Sequence, residues 1–160
     1  MKVLDANTAY ELAFVARAMS ALGNGDPETA VGHFESLSGI SPWGASLAAS
    51  GLADVAIYQG RLADAVGILE RGIQDDRGAG NQGEAARKLT ALSGALVDLG
   101  RADEAAAAAD EAVASSRRDN VLLTAAFVYV DLGDFDKAVF LADELGSRLG
   151  PEPQTYSRLI

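Results

Sequence analysis

Few side chains in this 160-residue chain have types and spacing that could do chemistry. The one histidine, His33, stands between Gly32 and Phe34. A histidine works as a general base or a metal ligand only beside partners: a nucleophile, a carboxylate, or further His and Cys at ligand spacing. There is no second histidine and no cysteine, so His33 reads as a surface or partly buried helical residue. Adjacent carboxylates occur at Asp75-Asp76 and Asp103-Glu104. Such pairs can do acid–base work. At turns and helix starts, where these are expected, solvation, capping and the helix dipole account for them. Gly78-Ala79-Gly80-Asn81-Gln82-Gly83 has the glycine density of a phosphate-cradling loop, but neither a Lys-Ser/Thr ending nor a preceding strand. It reads as a flexible linker. The serines have no base to activate them. Arg117-Arg118 is too short for a nucleic-acid patch and suits a helix C-terminus. The expectation is a non-enzyme with no catalytic residue, no metal site and no cofactor.

Charge narrows the partners. The formal net charge is −10 and the pI about 4.4. A field of that sign repels phosphate backbones and anionic lipid, so nucleic acid and membrane surfaces are poor partners. Without cysteine there is no disulfide or thiolate metal site, which weighs toward a reducing compartment. The segment after Lys2 carries Asp5, Asn7 and Glu11 where a leader would be apolar, and no long apolar run could span a bilayer. A cytoplasmic location is expected for this segment, while a longer parent could be anchored or exported.

The elements follow from pattern. Hydrophobic residues make up 49% of the chain and aromatics 6%, with heavy use of Ala. That mixture suits closely packed helices better than sheets. Four stretches look alike: Leu22-Gly23-Asn24-Gly25-Asp26-Pro27, Gln59-Gly60-Arg61-Leu62, Leu99-Gly100-Arg101-Ala102 and Leu132-Gly133-Asp134-Phe135. Aligned on Ala30, Ala65, Ala105 and Ala138 they step by 35, 40 and 33 residues. The upstream segments show stripes at i, i+3, i+4, i+7: Leu12, Val15, Ala16, Met19; Ala49, Leu52, Ala53, Ala56; Leu89, Leu92, Ser93, Leu96; Leu122, Ala125, Ala126, Tyr129. The downstream stripes are Ala30, Phe34, Leu37; Ala65, Leu69, Gly72; Ala105, Ala109, Ala112; Ala138, Ala142, Leu145. Glycine between stripes permits a left-handed helix end. Asp64, Asp103 and Asp136 fall near the next helix N-terminus, and Asp26-Pro27 reads as N-cap and first helical residue. The first turn reads as two residues longer than the others, with Asn24 and Gly25 after Gly23. A long polar linker is expected over Gln74–Gly83.

This pattern resembles the tetratricopeptide repeat, whose period is about 34 residues. The resemblance covers roughly Ala9 to Leu149. Its departures are Leu12, Ala49, Leu89 and Leu122 where the family often has an aromatic, and few prolines between repeats. It implies an all-α fold in a single domain, a right-handed superhelix of antiparallel helix pairs (an α-solenoid). The units fall at about 9–38, 42–75, 84–117 and 119–149, with 151–160 starting a further helix. Such a stack usually ends in a polar capping helix; its absence suggests a fragment whose uncapped ends could self-associate. The resemblance implies a non-catalytic scaffold that holds a protein or peptide on a concave groove of first helices. By spacing, the groove residues are Tyr10, Arg17, Asp54, Tyr58, Arg87, Asp98, Phe127 and Asp131. Their aromatics are binding anchors, and Asp54, Asp98 and Asp131 favour a basic partner. Of the family's carboxylate-gripping cluster only Arg17 matches, which disfavours binding of a chain-terminal carboxylate. The alternatives are a regulatory segment of a larger enzyme and a self-associating structural module. The stretch Gly51–Arg61 is similar to units of bacterial multi-repeat proteins, some of them joined to Ser/Thr kinases.

Overall fold

The structure, a computed structural model, describes residues 2–148, with side chains from Tyr10 onward. Regular structure among them is all helical: α1 (Lys2–Gly23), α2 (Pro27–Ser38), α3 (Pro42–Tyr58), α4 (Leu62–Gly78), α5 (Gln82–Asp98), α6 (Ala102–Ser115), α7 (Asp119–Asp131) and α8 (Phe135–Arg148). None of these helices is long and apolar enough to cross a membrane. The further helix expected at 151–160, and Leu149, lie outside the described residues. The chain divides into two compact units, Met1–Asp75 and Asp76–Ile160, with the division inside α4. In the first, α1, α2 and α3 pack against one another. In the second, α5, α6 and α7 do so, and α8 packs on α7.

Five helix junctions share one geometry. Each has three residues with a central glycine at positive φ: Gly25, Gly60, Gly80, Gly100 and Gly133, at 74°, 72°, 76°, 73° and 76°. The glycine N–H donates to the carbonyl three residues back, and the next N–H to the carbonyl five back, as in Gly80 to Arg77 (3.1 Å) and Asn81 to Asp76 (2.8 Å). This pair of hydrogen bonds satisfies carbonyls orphaned at the helix end, and it favours a residue without a Cβ at its centre. The residue after the glycine also starts the next helix, its carbonyl accepting from Ala30, Ala65, Ala85, Ala105 or Ala138. At α2–α3 the chain uses Ser41 instead, whose side chain accepts from Gly44 N–H at 3.0 Å ahead of Pro42. The α1–α2 corner adds a side-chain cap: Asp26 accepts from Thr29 N–H at 3.0 Å ahead of Pro27, as its sequence signature implies.

Numbering from these glycines explains the packing. Seven residues before Gly25, Gly60, Gly100 and Gly133, though not before Gly80, where the residue is Ile73, stand Ala18, Ala53, Ser93 and Ala126, and five after them stand Ala30, Ala65, Ala105 and Ala138. These small residues are all at most 1% exposed. Small residues on both sides of a turn let the helices approach closely. At α5–α6 the approach is close enough for the Ser93 hydroxyl to donate to the Ala105 carbonyl at 2.6 Å. Larger side chains fill the space further from the turn. Phe34 and Leu37 centre the first unit's core, each burial stabilising by about 1.5–3 kcal/mol. The Phe34 ring sits directly on the α3 backbone, because a Cβ on Gly51 would lie 2.2 Å from it. The second unit's core gathers Leu122, Ala125, Ala126, Tyr129, Leu141 and Leu145.

Three expectations are corrected. The first turn has no extra residues: Gly25, not Gly23, is the counterpart of Gly60. Anchoring on Gly23 displaces the α1 stripe by two residues, about 200° around a helix. Leu12 and Met19 are accordingly 49% and 45% exposed, whereas Ala18 and Ala21 are buried. The linker at Gln74–Gly83 does not exist as such. α4 continues to Gly78 and α5 begins at Gln82, each 17 residues long, so the long repeat step lengthens helices rather than a loop. Finally, Asp76 is not a solvated turn residue. It is 3% exposed, and its carboxylate accepts from Lys88 Nζ at 2.6 Å, itself 1% exposed. The downstream stripes, and those of α5 and α7, are buried as read.

Candidate functional site

The eight residues expected to line a groove lie on α1, α3, α5 and α7, and all are exposed. In the first unit Tyr10 is 56% exposed and meets Phe14 edge-on at 5.2 Å between ring centres. Phe14 in turn meets the half-buried His33 edge-on at 6.3 Å. Arg17 lies two turns beyond Tyr10 on the same helix. On α3, Asp54 and Tyr58 stand four residues apart, hence adjacent on the helix surface. Tyr58 is the most exposed large hydrophobic side chain described, at 71%.

In the second unit Arg87 and Asp98 are both on α5 but eleven residues apart, about 16 Å along the axis. Arg87 pairs with Glu84 at 2.8 Å on the helix surface. Phe127 and Asp131 are four apart on α7, and α7 packs on α5. The structure thus brings residues together in pairs, Asp54 with Tyr58 and Phe127 with Asp131.

Counted from the turn glycines, these pairs occupy the same two slots. Six residues before the glycine stand Asp54 and Phe127; two before stand Tyr58, Asp98 and Asp131. Tyr10 and Arg17 are out of this register by two residues, for the reason that displaced the α1 stripe. The positions in register on α1 are Met19 and Gly23. Met19 forms an exposed apolar strip with Leu12 and Ala16 that sequence reasoning assigned to the core.

Two polar clusters in the second unit went unforeseen. The buried Asp76–Lys88 pair is one. Its sequence signal is a lysine twelve residues before a turn glycine, a slot held by Ala48 and Val121, both fully buried. The other surrounds Asp110 on α6. It accepts from Tyr129 Oη and Lys137 Nζ, each at 2.7 Å, and Lys137 lies 4.9 Å from the centre of the Tyr129 ring. Burial pushes the Asp110 carboxyl up, but the hydrogen bonds from Lys137 and Tyr129, with the lysine's charge, outweigh it and hold the group below the ordinary carboxylate range. Burial, and then the bond to Asp110, push the Tyr129 phenol well above its usual value. The hydrogen bond to Asp110 likewise raises Lys137. Each group therefore keeps its neutral-pH form, which suits an ion-pair brace rather than a proton shuttle.

Beside this cluster lies an open cleft of about 190 Å³ lined by Ala102, Asp103, Ala106, Tyr129, Leu132 and Asp134. That is smaller than the roughly 300 Å³ at which small-molecule sites begin. Arg117 and Arg118 lie in the α6–α7 connection and are engaged within the unit, by Glu144 and Glu84. Among the described residues no cluster of His, Cys, Asp or Glu could hold a metal ion. Comparison with known proteins finds no matching family model and no matching curated protein.

Proposed function

We propose that the chain is a non-catalytic interaction scaffold of tetratricopeptide type, holding a protein or peptide on the outward face of its first helices. One observation carries this reading. The two slots six and two residues before a turn glycine hold an acid and an exposed aromatic on α3 (Asp54, Tyr58) and, with the order exchanged, on α7 (Phe127, Asp131). An aromatic beside a carboxylate suits a partner that offers apolar and basic groups together. Core packing does not require either aromatic, since Tyr58 is 71% and Phe127 47% exposed. The right-handed superhelix of that family is the stacking this reading expects, and a scattering profile of the chain in solution tests it.

The discriminating experiment uses Tyr58→Ala and Phe127→Ala separately, as baits in native lysate beside the wild type. Because both side chains are exposed, the variants should keep the wild-type unfolding midpoint. Each should lose a partner that the wild type retains. A partner set unchanged in both variants would refute the assignment of this face.

A further inference from the structure

α8 presents a face that the packing of the described residues does not use. Phe135, Val139 and Phe140 are 62%, 53% and 64% exposed. Asp136 precedes Phe140 by four residues and Asp143 follows it by three, so both carboxylates adjoin the ring on the helix surface. Neither has an ion-pair partner among the described residues, and the cations nearby are engaged. Lys137 is held by Asp110 and Asp134, Arg117 by Glu144, and Arg148 by Glu144 and Asp119.

Register shows that Phe140 is not there for the repeat. It stands seven residues after its turn glycine, where the other second helices have Gly32, Gly67 and Ala107. In Val139's slot Val66 is 5% exposed and Val31 and Ala106 are half-buried. In Phe140's slot Gly32 and Ala107 stay exposed and Gly67 is half-buried. Stacking a further helix on α8 would therefore cover Val139 first and leave Phe140 at least partly exposed. A second copy of the chain is disfavoured as occupant by the net charge of −10.

We propose that this face of α8 is a second docking surface, separate from the first-helix face, for a cationic amphipathic helix of a partner protein. A Lys or Arg of that helix would lie over the Phe140 ring between Asp136 and Asp143. Its apolar residues would cover Val139 and Phe135.

The test measures fluorescence anisotropy of a labelled peptide of Leu and Lys in amphipathic helical spacing, titrated with the full chain. A peptide with Glu in place of Lys is the control. Phe140→Ser should weaken binding of the Lys peptide by about tenfold. Asp136→Asn with Asp143→Asn should weaken it several-fold and flatten its salt dependence. Removing two other exposed acids, by Glu70→Gln with Asp75→Asn, should leave it unchanged, as should Tyr58→Ala with Phe127→Ala. Equal affinity in Phe140→Ser would overturn the proposal and leave only general attraction to an acidic surface. So would binding that appears only after Tyr156→Ser with Leu159→Ser, because the chain's own C-terminal segment would then be the occupant. A dimer in sedimentation that Phe140→Ser dissociates would identify a second copy instead.

Discussion

The α4–α5 and α7–α8 corners close with the same hydrogen bonds, Gly80 to Arg77 with Asn81 to Asp76, and Gly133 to Val130 with Asp134 to Tyr129. Four residues before the glycine the first corner holds Asp76 and the second Tyr129, each 3% exposed. The same slot is Ala21, Ala56 or Leu96 elsewhere. Each polar group is satisfied by one residue of a neighbouring helix. For Asp76 that residue is Lys88, which replaces the Val121 or Ala48 of the equivalent slot. For Tyr129 it is Asp110, whose carboxylate remains half in solvent. The backbone turn is thus indifferent to what its buried slot carries, provided the polar atom finds a partner. The two solutions differ in what they risk. A phenol that loses its acceptor is a neutral group, whereas a carboxylate that loses its lysine is a buried charge.

That difference predicts the largest effect. Lys88→Ala strands Asp76 and should cost about 3–5 kcal/mol in urea unfolding, enough to threaten the fold of the second unit. Supplying both slots with the apolar types found elsewhere, Asp76→Leu with Lys88→Val, should recover most of that loss or exceed wild-type stability. If the double variant is as unstable as the single one, the pair does more than satisfy itself. Next in size are the turns. Gly80→Ala and Gly133→Ala meet no atom within 4 Å, so their cost is the backbone's alone, about 1–2 kcal/mol in each case. Unequal losses in thermal melts would show that the corners are not equivalent.

Smaller is Tyr129→Phe, which removes one hydrogen bond and leaves Asp110 to Lys137 and water. About 0.5–1.5 kcal/mol is expected by denaturant titration. The smallest effect is the dependence on acid. Asp110 is held below its unfolded value, so its contribution is present above that value and is lost as pH falls through the folded one. Unfolding curves for Asp110→Asn at pH 6 and pH 3 should differ less than those of the wild type. An unchanged difference would remove Asp110 from the acid response.

Much of the architecture was legible in the sequence. Helical periodicity marks α5 to α8 because each buries an apolar stripe at three- and four-residue spacing. Glycine at the corners is legible because a positive φ excludes other residues at little choice of alternative. The reading failed at α1, where two glycines, Gly23 and Gly25, compete for one corner. An Ala-rich helix tolerates either register, since Leu12, Val15, Ala16 and Met19 form as regular a stripe as Ala18 and Ala21 belong to. The candidate binding face inherited that error at Tyr10 and Arg17 and escaped it on α3 and α7.

The sequence by itself determined an all-α chain of short-cornered helices, because local rules of capping, glycine conformation and periodicity act within a few residues. It also determined which acids sit at helix starts: Asp26, Asp64, Asp103 and Asp136. Only the tertiary structure decided that Gln74–Gly83 is mostly helix, that Asp76 meets Lys88 out of water, and that Leu12 and Met19 of α1 face outward. Those outcomes depend on what lies across the helix, and no local pattern records the neighbour. The acid–aromatic pairs on α3 and α7 stand between the two cases. Their spacing can be read from the chain, but their exposure is a property of the packing behind them.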